Sequence, residues 1–575
     1  MAKSPAVPAW VWTGMAVAAV ALALALRLHG LDLRTISHPE VYVPGIPLPP
    51  VHSVPPPRLT WADTLWMHYH DEPHPMGWYL AMFAWTGIAG VSEWALRLPG
   101  AVIGAASVWL IFLLGRRVYG GAAGALAAGL LALNGFHLFW SQAARMYAAG
   151  TFLGLLSTLL LLAFVYDGRR RLLTGAAYVL SVAATATCIE FAWPLLGIQI
   201  LWTTLALPAR GDFRWRDVIR ARMAGVHPAI LLQMLAVMVS APELLHSVYR
   251  ARAGAVEQTG FAFLREYLSF GFLFAADPDT IPPTAVAVPV AVALLVAALV
   301  LVSGGLRAPA LSPRPAPAGN ALPFWLPVTV AIAASAFMVW LALIALHRNA
   351  ALLVVASGPV LALWLPALSR VADHLVARSV ALARWRETTA GPRLLAALVG
   401  VAAPLILFVL SAKVEILAGR AFLVFVPALL VLVAGAVTAV PALWPRLALV
   451  AALAGLFAAS VPWSFAKPGS PRDYKALVAG MQADYRPGDL VFVLDKRWEE
   501  APLFYYLPGA QYVFGDYAAA LRRQPQARVW LVTWPWEDMP VISDERREAL
   551  AHYARVKHVE ALRASAELFV PAANP

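Results

Sequence analysis

A polar, proline-rich segment between the first two apolar runs of the chain carries side chains suited to proton transfer. It covers residues 37–75 and contains Glu40, Asp71, Glu72 and His74. A carboxylate held against an acceptor group can remove its proton, and a neighbouring histidine can orient the substrate. Because long apolar runs flank the segment, we predict either a water-facing loop or a reaction site at a membrane surface.

Three further polar clusters supply cations. One follows the apolar run that ends near residue 138, the second is a long loop over residues 249–283, and the third lies around residues 413–420. Arg and Lys neutralise phosphate oxygens, while a carboxylate activates an attacking hydroxyl, so the combination indicates a site for a phosphorylated lipid. The cationic candidates for this site are Arg145, Lys413 and Arg420.

The composition indicates which elements hold these side chains. The 575 residues are 61% apolar and 13% charged, with a mean hydropathy of +0.69, which is typical of a polytopic membrane protein. The net charge of +12 does not indicate a nucleic-acid partner, because the basic residues lie in short loops between apolar runs. Cys188 is the single cysteine, which excludes an intrachain disulfide.

Thirteen apolar runs are long enough to cross a bilayer, near residues 9–28, 99–115, 121–138, 147–166, 173–188, 190–207, 228–245, 284–304, 323–346, 350–367, 394–412, 421–440 and 447–463.

The distribution of Lys and Arg gives the predicted orientation in the membrane. If the N-terminus is cytoplasmic and residues 76–91 lie at the interface without crossing, the inner loops hold most of the Lys and Arg, as the positive-inside rule requires. A crossing by residues 76–91 would place the arginine-rich loops outside. We therefore predict that a first outer loop at residues 29–98, the cationic clusters and the end of the chain share the extracytoplasmic face.

Each of these candidate residues also has a simpler explanation. A glutamate in a long loop is usually solvated, which is the alternative for Glu40 and Glu72 taken singly. His74 lies between two prolines and would serve equally well to fix the loop. Arginines at helix ends anchor in lipid headgroups, which is the alternative for Arg145 and Arg420. The coincidence of four clusters on one predicted face favours a shared site.

The end of the chain differs from the rest in its periodicity. We predict a transmembrane domain over residues 1–466 and a small extracytoplasmic α/β domain over residues 467–575. The second domain has no Gly-rich phosphate loop and no metal-ligand spacing, so its predicted role is a stabilising or acceptor-binding lobe. Its predicted strands cover residues 490–494, 528–533 and 567–570, and its predicted helices cover residues 474–485, 499–507 and 544–553.

Four motifs resemble those of a known family. Residues 72–79 read EPHPMGWY, residues 95–100 read ALRLPG, residues 141–147 read SQAARMY and residues 419–422 read GRAF. In order and spacing they are similar to the D-x-H-P-P-L-Y-Y, R-L-P-S, S-Q-E-A-R-M-Y and R-Y-L-L segments of the family 39-like glycosyltransferases. This group has the GT-C fold and includes protein O-mannosyltransferases and the lipid A aminoarabinose transferase. The motifs are specific as a set, whereas each alone is weak.

The resemblance implies a GT-C membrane glycosyltransferase with about thirteen transmembrane helices, in the bacterial inner membrane with its site on the periplasmic side. It would transfer a sugar from a polyprenyl-phosphate donor to a lipid, glycan or protein acceptor, with inversion. Glu40 follows Pro39 at the place of the family's Asp-Glu pair and is the implied base. Glu72 and His74 would complete the catalytic group. The implied substrate-binding residues are Asp71, Gln142, Arg145, Tyr147, Lys413 and Arg420.

The chain also departs from the family pattern. Ala143 replaces the glutamate of the S-Q-E-A-R-M-Y motif, which leaves open both the base and a requirement for a divalent metal, Mg²⁺ or Mn²⁺; no metal ligands are assigned. Together with Pro39, this departure motivates one alternative, a catalytically inactive relative that serves as a scaffold or as a lipid-binding partner. A transporter or lipid flippase is the other alternative. It would place ionisable residues near the bilayer midplane, often in repeated halves, and the sequence shows no repeat.

Overall fold

Two kinds of architecture follow one another along the chain. Helices extend to residue 466, and a mixed sheet with flanking helices follows. The predicted spans at residues 284–304 and 323–346 and most of the one at 350–367 lie outside the described residues. The computed structural model describes residues 7–42, 60–62, 64, 74–167, 171–189, 192–207, 227–251, 365–366, 369–376, 378–389, 391–404, 406–407, 419–466, 469–470, 472–493, 501–533 and 544–572.

Most helices before residue 466 are apolar along their length, as expected of elements that face lipid or one another. A π-helical turn, Leu398–Ala402, follows the helix Pro392–Ala397, and a 3-10 helix, Gly419–Phe425, precedes the helix Val426–Ala439. The helices are α1 (Ala9–Leu28), α2 (His38–Val41), α3 (Met76–Ala89), α4 (Glu93–Tyr119), α5 (Gly121–Leu133), α6 (Gly135–Ser141), α7 (Tyr147–Tyr166), α8 (Arg171–Cys188), α9 (Ala192–Ala206), α10 (Pro228–Ala251), α11 (Val380–Thr389), α12 (Pro392–Ala397), α13 (Val426–Ala439) and α14 (Leu443–Ala466).

The number of membrane crossings differs from the prediction. Among the described residues, six helices are long and apolar enough to cross a membrane, or seven if α5 and α6 cross as one bent pair. The predicted number of about thirteen is therefore not confirmed. The bounds of α1 and α7 are those that the apolar runs predicted. Helix α3 has 14 residues, about 21 Å of helix, which is less than the ~30 Å hydrocarbon core; the interfacial position of residues 76–91 stays a prediction.

A break between α5 and α6 interrupts the run predicted at residues 121–138. The two helices meet at an angle of 60°, and the side chain of Asn134 caps the start of α6. The buried guanidinium of Arg27 donates to the carbonyl oxygens of Leu131 and Ala132, at 3.1 and 3.2 Å, where α5 ends. The negative end of a helix thus balances a positive charge inside the helical part. Arg27 therefore has partners within the protein, so its burial does not require the ion-binding site of a transporter.

Glycines allow α4 and α5 to pack with their backbones in contact. A Cβ atom added to Gly115 would lie 2.7 Å from the Cα atom of Gly124, and one added to Gly124 would lie 2.5 Å from the carbonyl oxygen of Phe112. Small residues permit such close approach between membrane helices, where van der Waals contact drives association. The two helices are therefore closely packed, and the candidate site lies near the start of α4.

The C-terminal lobe is built on a mixed sheet of five strands in the order β2-β1-β3-β5-β4. Strand β1 is parallel to β2 and β3, whereas β5 is antiparallel to β3 and β4. The sequence predicted β1, β3 and β5, and did not predict β2 and β4. The elements of the lobe are α15 (Tyr474–Gln482), β1 (Leu490–Val493), α16 (Ala501–Tyr506), β2 (Gln511–Phe514), α17 (Tyr517–Arg523), β3 (Val529–Thr533), α18 (Asp544–Ala549), β4 (Tyr553–Ala561) and β5 (Ala564–Pro571).

Helices cover both faces of this sheet. Every residue of β1 is buried, as is typical of a central strand with parallel neighbours. Leu490 and Phe492 pack on the face that α17 and α18 cover, and Val491 and Val493 pack on the face that α15 and α16 cover. Side chains of α15 and α16 also contact the first outer loop, so the lobe lies against the candidate site.

Gly124→Ala is expected to destabilise the helical part, because the added methyl group would meet the carbonyl oxygen of Phe112. Overpacking of this kind costs about 1–3 kcal/mol, so the thermal unfolding midpoint in detergent should fall by several degrees. Gly129→Ala on the same helix is the matched control, since no atom lies within 4 Å of its added Cβ position. Equal midpoints for the two variants would contradict the close packing of α4 and α5.

Candidate active site

A buried ion pair between Glu40 and Arg97 forms the centre of the candidate site. The guanidinium donates to both carboxylate oxygens, from Nε and from one terminal nitrogen, at 3.0 Å each. The same carboxylate accepts from the N–H and the hydroxyl of Ser37 at 2.9 Å each and from the N–H of Ala144 at 2.8 Å. Both charged side chains are 3% exposed. Donors therefore surround a carboxylate that water barely reaches.

The remaining N–H groups of Arg97 hold the first outer loop. One terminal nitrogen donates to the carbonyl oxygens of Leu31, at 2.8 Å, and Arg34, at 2.9 Å, and the other donates to that of Thr35, at 3.1 Å. Every N–H group of the guanidinium thus has an acceptor. Because a buried charge is costly unless it is fully paired, these bonds fix the loop to the start of α4.

A capping box forms the turn that carries Glu40. Ser37 is the N-cap residue of α2, and the side chain of Glu40, three residues later, accepts from the N–H of Ser37. Pro39 lies in the first turn, where a residue without an N–H group does no harm. The sequence between Ser37 and Glu40 therefore folds locally into the one helical turn that presents the carboxylate to Arg97.

A glycine in the ALRLPG motif brings the turn of residues 141–145 against α4. A Cβ atom added to Gly100 would lie 2.8 Å from the carbonyl oxygen of Ser141 and 3.0 Å from that of Ala143. Glycine leaves room for this approach, which places the next N–H group of the turn on the Glu40 carboxylate. The ALRLPG motif thus contributes the cation Arg97 and, at Gly100, the space that the turn of residues 141–145 occupies.

Arg145, a predicted phosphate-binding residue, lies next to this pair. Its guanidinium donates to the carbonyl oxygen of Pro39 at 2.9 Å and to the hydroxyl of Tyr79 at 2.8 Å. The indole N–H of Trp78 donates to the carbonyl oxygen of Ala144 at 3.3 Å. Side chains of the EPHPMGWY, ALRLPG and SQAARMY motifs therefore meet at one place, although they are far apart in the sequence.

The surroundings of Glu40 weaken it as a proton acceptor. Burial alone raises its pKa, but the charge of Arg97 and the hydrogen bonds from Arg97, Ala144 and Ser37 outweigh burial and lower the pKa from 4.5 to about 2. The carboxylate is therefore ionised at neutral pH. Its contacts support a positioning role, and the role of Glu40 as general base stays a prediction.

Gln142, a predicted substrate-binding residue, contacts the protein itself. Its side-chain nitrogen donates to the carbonyl oxygens of Leu26, Arg27 and His29 at the end of α1, at 3.3, 3.2 and 2.7 Å. Its side-chain oxygen accepts from Arg34 at 3.0 Å. These bonds join the end of α1 to the turn before α7, and contact between Gln142 and substrate stays a prediction.

The other predicted site residues have varied surroundings. Tyr147 is 3% exposed and packs edge to face on Trp140, with ring centroids 4.8 Å apart. His74, just before α3, and Arg420, in the 3-10 helix, are half-buried. Within the described ranges, no group of three or more His, Cys, Asp or Glu side chains is arranged to hold a metal ion. The predicted residues outside those ranges are Asp71, Glu72 and Lys413.

Two charged residues near these contacts were not among the predicted site residues. Arg97 was part of a recognised motif, but nothing in the sequence connected it with Glu40. Glu243 is 4% exposed, and its carboxylate accepts from the N–H of Met76 at 3.3 Å, at the start of α3. An acidic residue inside the run predicted at residues 228–245 was the available signal, because ionisable groups in such runs are functional candidates by default.

Glu40→Gln is expected to lower the thermal unfolding midpoint at neutral pH, because it leaves the guanidinium of Arg97 buried without an opposite charge. Removing one partner of a buried pair costs about 3–5 kcal/mol. The unmutated protein should lose the same contribution in acid. The pKa of Glu40 is about 2 in the folded protein and 4.5 in the unfolded chain. The contribution of the ionised Glu40 to the free energy of unfolding is therefore complete above about pH 4.5 and is lost as the pH falls toward about 2.

Midpoints measured in detergent from neutral pH down to about pH 3 test this expectation. The difference between the unmutated protein and Glu40→Gln should narrow as the pH falls. Parallel curves for the two proteins across this range would show that the ion pair contributes nothing that depends on ionisation of Glu40.

Comparisons with known proteins give one sequence match and several structural ones. A sequence model of the family described as dolichyl-phosphate-mannose-protein mannosyltransferase matches residues 71–238. No curated protein sequence gives a significant match. ArnT from Cupriavidus metallidurans in the apo state is 14% identical, with 97% of this chain and 98% of that chain aligned and a TM-score of 0.42. For ArnT bound to undecaprenyl phosphate the TM-score is 0.40, with the same identity and coverage of 97% and 98%. The oligosaccharyltransferase AglB from Archaeoglobus fulgidus, in complex with an inhibitory peptide and a dolichol-phosphate, is 12% identical, with 91% of this chain and 69% of that chain aligned and a TM-score of 0.44.

The segment matched by the family model extends from just before α3 into α10. It contains the whole of the SQAARMY, ALRLPG and EPHPMGWY motifs, which carry Arg145, Arg97 and Tyr79. The resemblance that these motifs indicated is therefore confirmed for this part of the chain: over residues 71–238 the protein is similar to the dolichyl-phosphate-mannose-protein mannosyltransferase family.

Proposed function

We propose that the protein is a membrane glycosyltransferase of the GT-C type, which moves a sugar from a polyprenyl-phosphate donor to an extracytoplasmic acceptor. One observation carries the proposal: side chains of three motifs converge on the turn that holds Glu40. Arg97 binds Glu40, Arg145 binds the carbonyl oxygen of Pro39, and Tyr79 binds Arg145. The similarity of residues 71–238 to a mannosyltransferase family supports the same reaction class.

Arg145 is proposed to bind the phosphate of the donor. Pro39 and Tyr79 hold its guanidinium in one orientation, and a cation oriented in advance stabilises the charge that develops on a leaving phosphate. The acceptor oxygen attacks the anomeric carbon from the opposite side, the bond from that carbon to the phosphate oxygen breaks, and the configuration inverts. Lys413 and Arg420 are proposed to add positive charge near the phosphate.

Two carboxylates are proposed for the proton that the acceptor loses. Glu40 has the place that the family resemblance implies, and its low pKa is the objection to it. Glu243 is favoured by its position: it binds Met76 at the start of α3, and Tyr79, one helical turn later, binds Arg145.

The other proposed site residues are Glu72 and His74, which would orient the sugar or the acceptor, and Asp71, Gln142 and Tyr147, which would line the substrate site.

Contacts between the C-terminal lobe and the first outer loop bear on the orientation of the protein. The hydroxyl of Tyr506 in the lobe accepts from the N–H of Ile36 in the loop, so the two parts lie on the same side of the membrane. We propose that this side is extracytoplasmic, and periplasmic in a bacterial inner membrane, because the positive-inside distribution assigns the first loop there.

Arg145→Met is expected to lower the rate of sugar transfer about 100-fold or more, since one cation that stabilises the leaving phosphate is lost. Arg145→Lys should retain part of the rate, because the charge stays while the planar geometry is lost. The measurement is transfer of labelled sugar from a panel of polyprenyl-phosphate donors by purified protein in vesicles that contain candidate lipid, glycan and protein acceptors.

Arg116→Met is the control for this experiment, because Arg116 is exposed and the substitution removes the same charge. It should leave transfer unchanged. Thermal midpoints are measured for all variants. Unaltered transfer by Arg145→Met, with the fold intact, would exclude Arg145 from the phosphate site.

The dependence of transfer on pH separates the two proposed bases. If Glu40 takes the proton, its pKa of about 2 predicts a rate that does not fall as the pH is lowered from neutral to about 4. An acid limb within that range would assign the proton transfer to another group. Disappearance of the limb in Glu243→Gln would identify that group as Glu243, and persistence of the limb there would exclude Glu243.

A further inference from the structure

Two helices of the C-terminal lobe contact the loop that holds the Glu40–Arg97 pair. Tyr506 is the last residue of α16, and Lys475 lies in the first turn of α15. Both side chains reach residues 32–36 of the first outer loop and the carboxylate of Glu93, which lies in the first turn of α4. The lobe thus contacts the two segments between which the ion pair forms.

The hydroxyl of Tyr506 makes two bonds of different kinds. It accepts from the N–H of Ile36 at 2.7 Å and donates to the carboxylate of Glu93. Burial, together with the bond to Glu93, raises the pKa of Tyr506, so the hydroxyl keeps its proton and remains a donor at neutral pH. One side chain of the lobe therefore ties the backbone of the loop to the start of α4.

Lys475 makes a second tie of the same kind. Its ammonium group donates to the carboxylate of Glu93 and to the carbonyl oxygen of Asp32, at 2.5 Å each. The backbone N–H of Lys475 also donates to the hydroxyl of Thr35 at 3.4 Å. The loop is therefore held by the lobe at both ends of residues 32–36.

These residues are the ones on which the ion pair depends. The carbonyl oxygens of Arg34 and Thr35 accept from Arg97, and Ile36 directly precedes Ser37, which donates to Glu40. A shift of residues 32–36 would move acceptors of the guanidinium and a donor to the carboxylate together. The lobe and the candidate site thus share one short backbone segment.

We propose that Tyr506 and Lys475 are positioning residues, through which the C-terminal lobe holds the first outer loop in the conformation that the candidate site requires. The consequence for sugar transfer rests on the proposed function; the effect on the loop does not. The lobe then affects the geometry of the candidate site as well as the stability of the protein. It contributes no reacting atom.

Tyr505 provides a matched control on the same helix. It is half-buried like its neighbour, and its hydroxyl donates to the carbonyl oxygen of Val91, in the connection between α3 and α4, at 2.8 Å. Tyr505→Phe and Tyr506→Phe each remove one hydroxyl group from α16. They differ in that only the Tyr506 hydroxyl binds the backbone of residues 32–36 and the carboxylate of Glu93.

Hydrogen exchange measured on the full-length protein in nanodiscs tests the effect on the loop. In Tyr506→Phe, the amides of Ile36, Ser37 and Glu40 should exchange roughly five to ten times faster than in the unmutated protein, as expected for the loss of one hydrogen bond. Tyr505→Phe should leave these rates unchanged. Equal rates in the two variants, whether both raised or both unaltered, would overturn the proposal.

Sugar transfer tests the consequence for the site. Tyr506→Phe and Lys475→Met should lower kcat about tenfold with KM for the donor unchanged, and Lys475→Arg should restore most of the rate. A loss of kcat that matches the fall in thermal midpoint and is equal in Tyr505→Phe would indicate stability alone and overturn the proposal. If the unmutated protein transfers no sugar from any donor, the proposed function fails, and the exchange rates alone decide whether the lobe positions the loop.

Discussion

The Glu40–Arg97 pair is the contact through which the parts of the candidate site are joined. Two opposite charges are removed from water, and this is tolerable only while each keeps its full set of partners. Those partners come from the first outer loop, from α4 and from the turn before α7. A change in any of these segments therefore leaves part of a buried charge unpaired, which is costly, so the three segments keep one arrangement relative to one another.

The glycines and the helix break serve the same end. Gly100 lets the turn of residues 141–145 approach α4 closely enough to donate to Glu40. The break at Asn134 ends α5 where Arg27 donates to the carbonyl oxygens of Leu131 and Ala132, and it starts α6 in a new direction toward that turn. Both features bring backbone groups to charged side chains, and in a low-dielectric interior such paired groups hold their geometry firmly.

Much of the helical part could be predicted from the sequence, because the length of an apolar run gives a membrane helix directly; α1 and α7 have the predicted bounds. The candidate site could be predicted only as a list of residues. Glu40 and Arg97 are 57 positions apart, and no periodicity indicates that a loop carboxylate will meet a motif arginine. The break at Asn134 was hidden by continuous apolar composition. Strand β2 was missed because its residues are half-exposed and few, so that neither alternation nor a buried run marks it.

The place of Glu40 in a capping box changes how the Pro39-Glu40 departure is understood. A carboxylate at the third position of α2 is needed to accept from Ser37, and a glutamate has the reach for it. The fold thus requires an acid at this position, whatever the chemistry, to cap the turn and to neutralise Arg97. The pair is neutral as a whole, whereas Arg145 beside it donates to the carbonyl oxygen of Pro39 and to the hydroxyl of Tyr79. The charge of Arg97 is balanced by Glu40 within the protein, which is the reason to assign the donor phosphate to Arg145 and the first outer loop to Arg97.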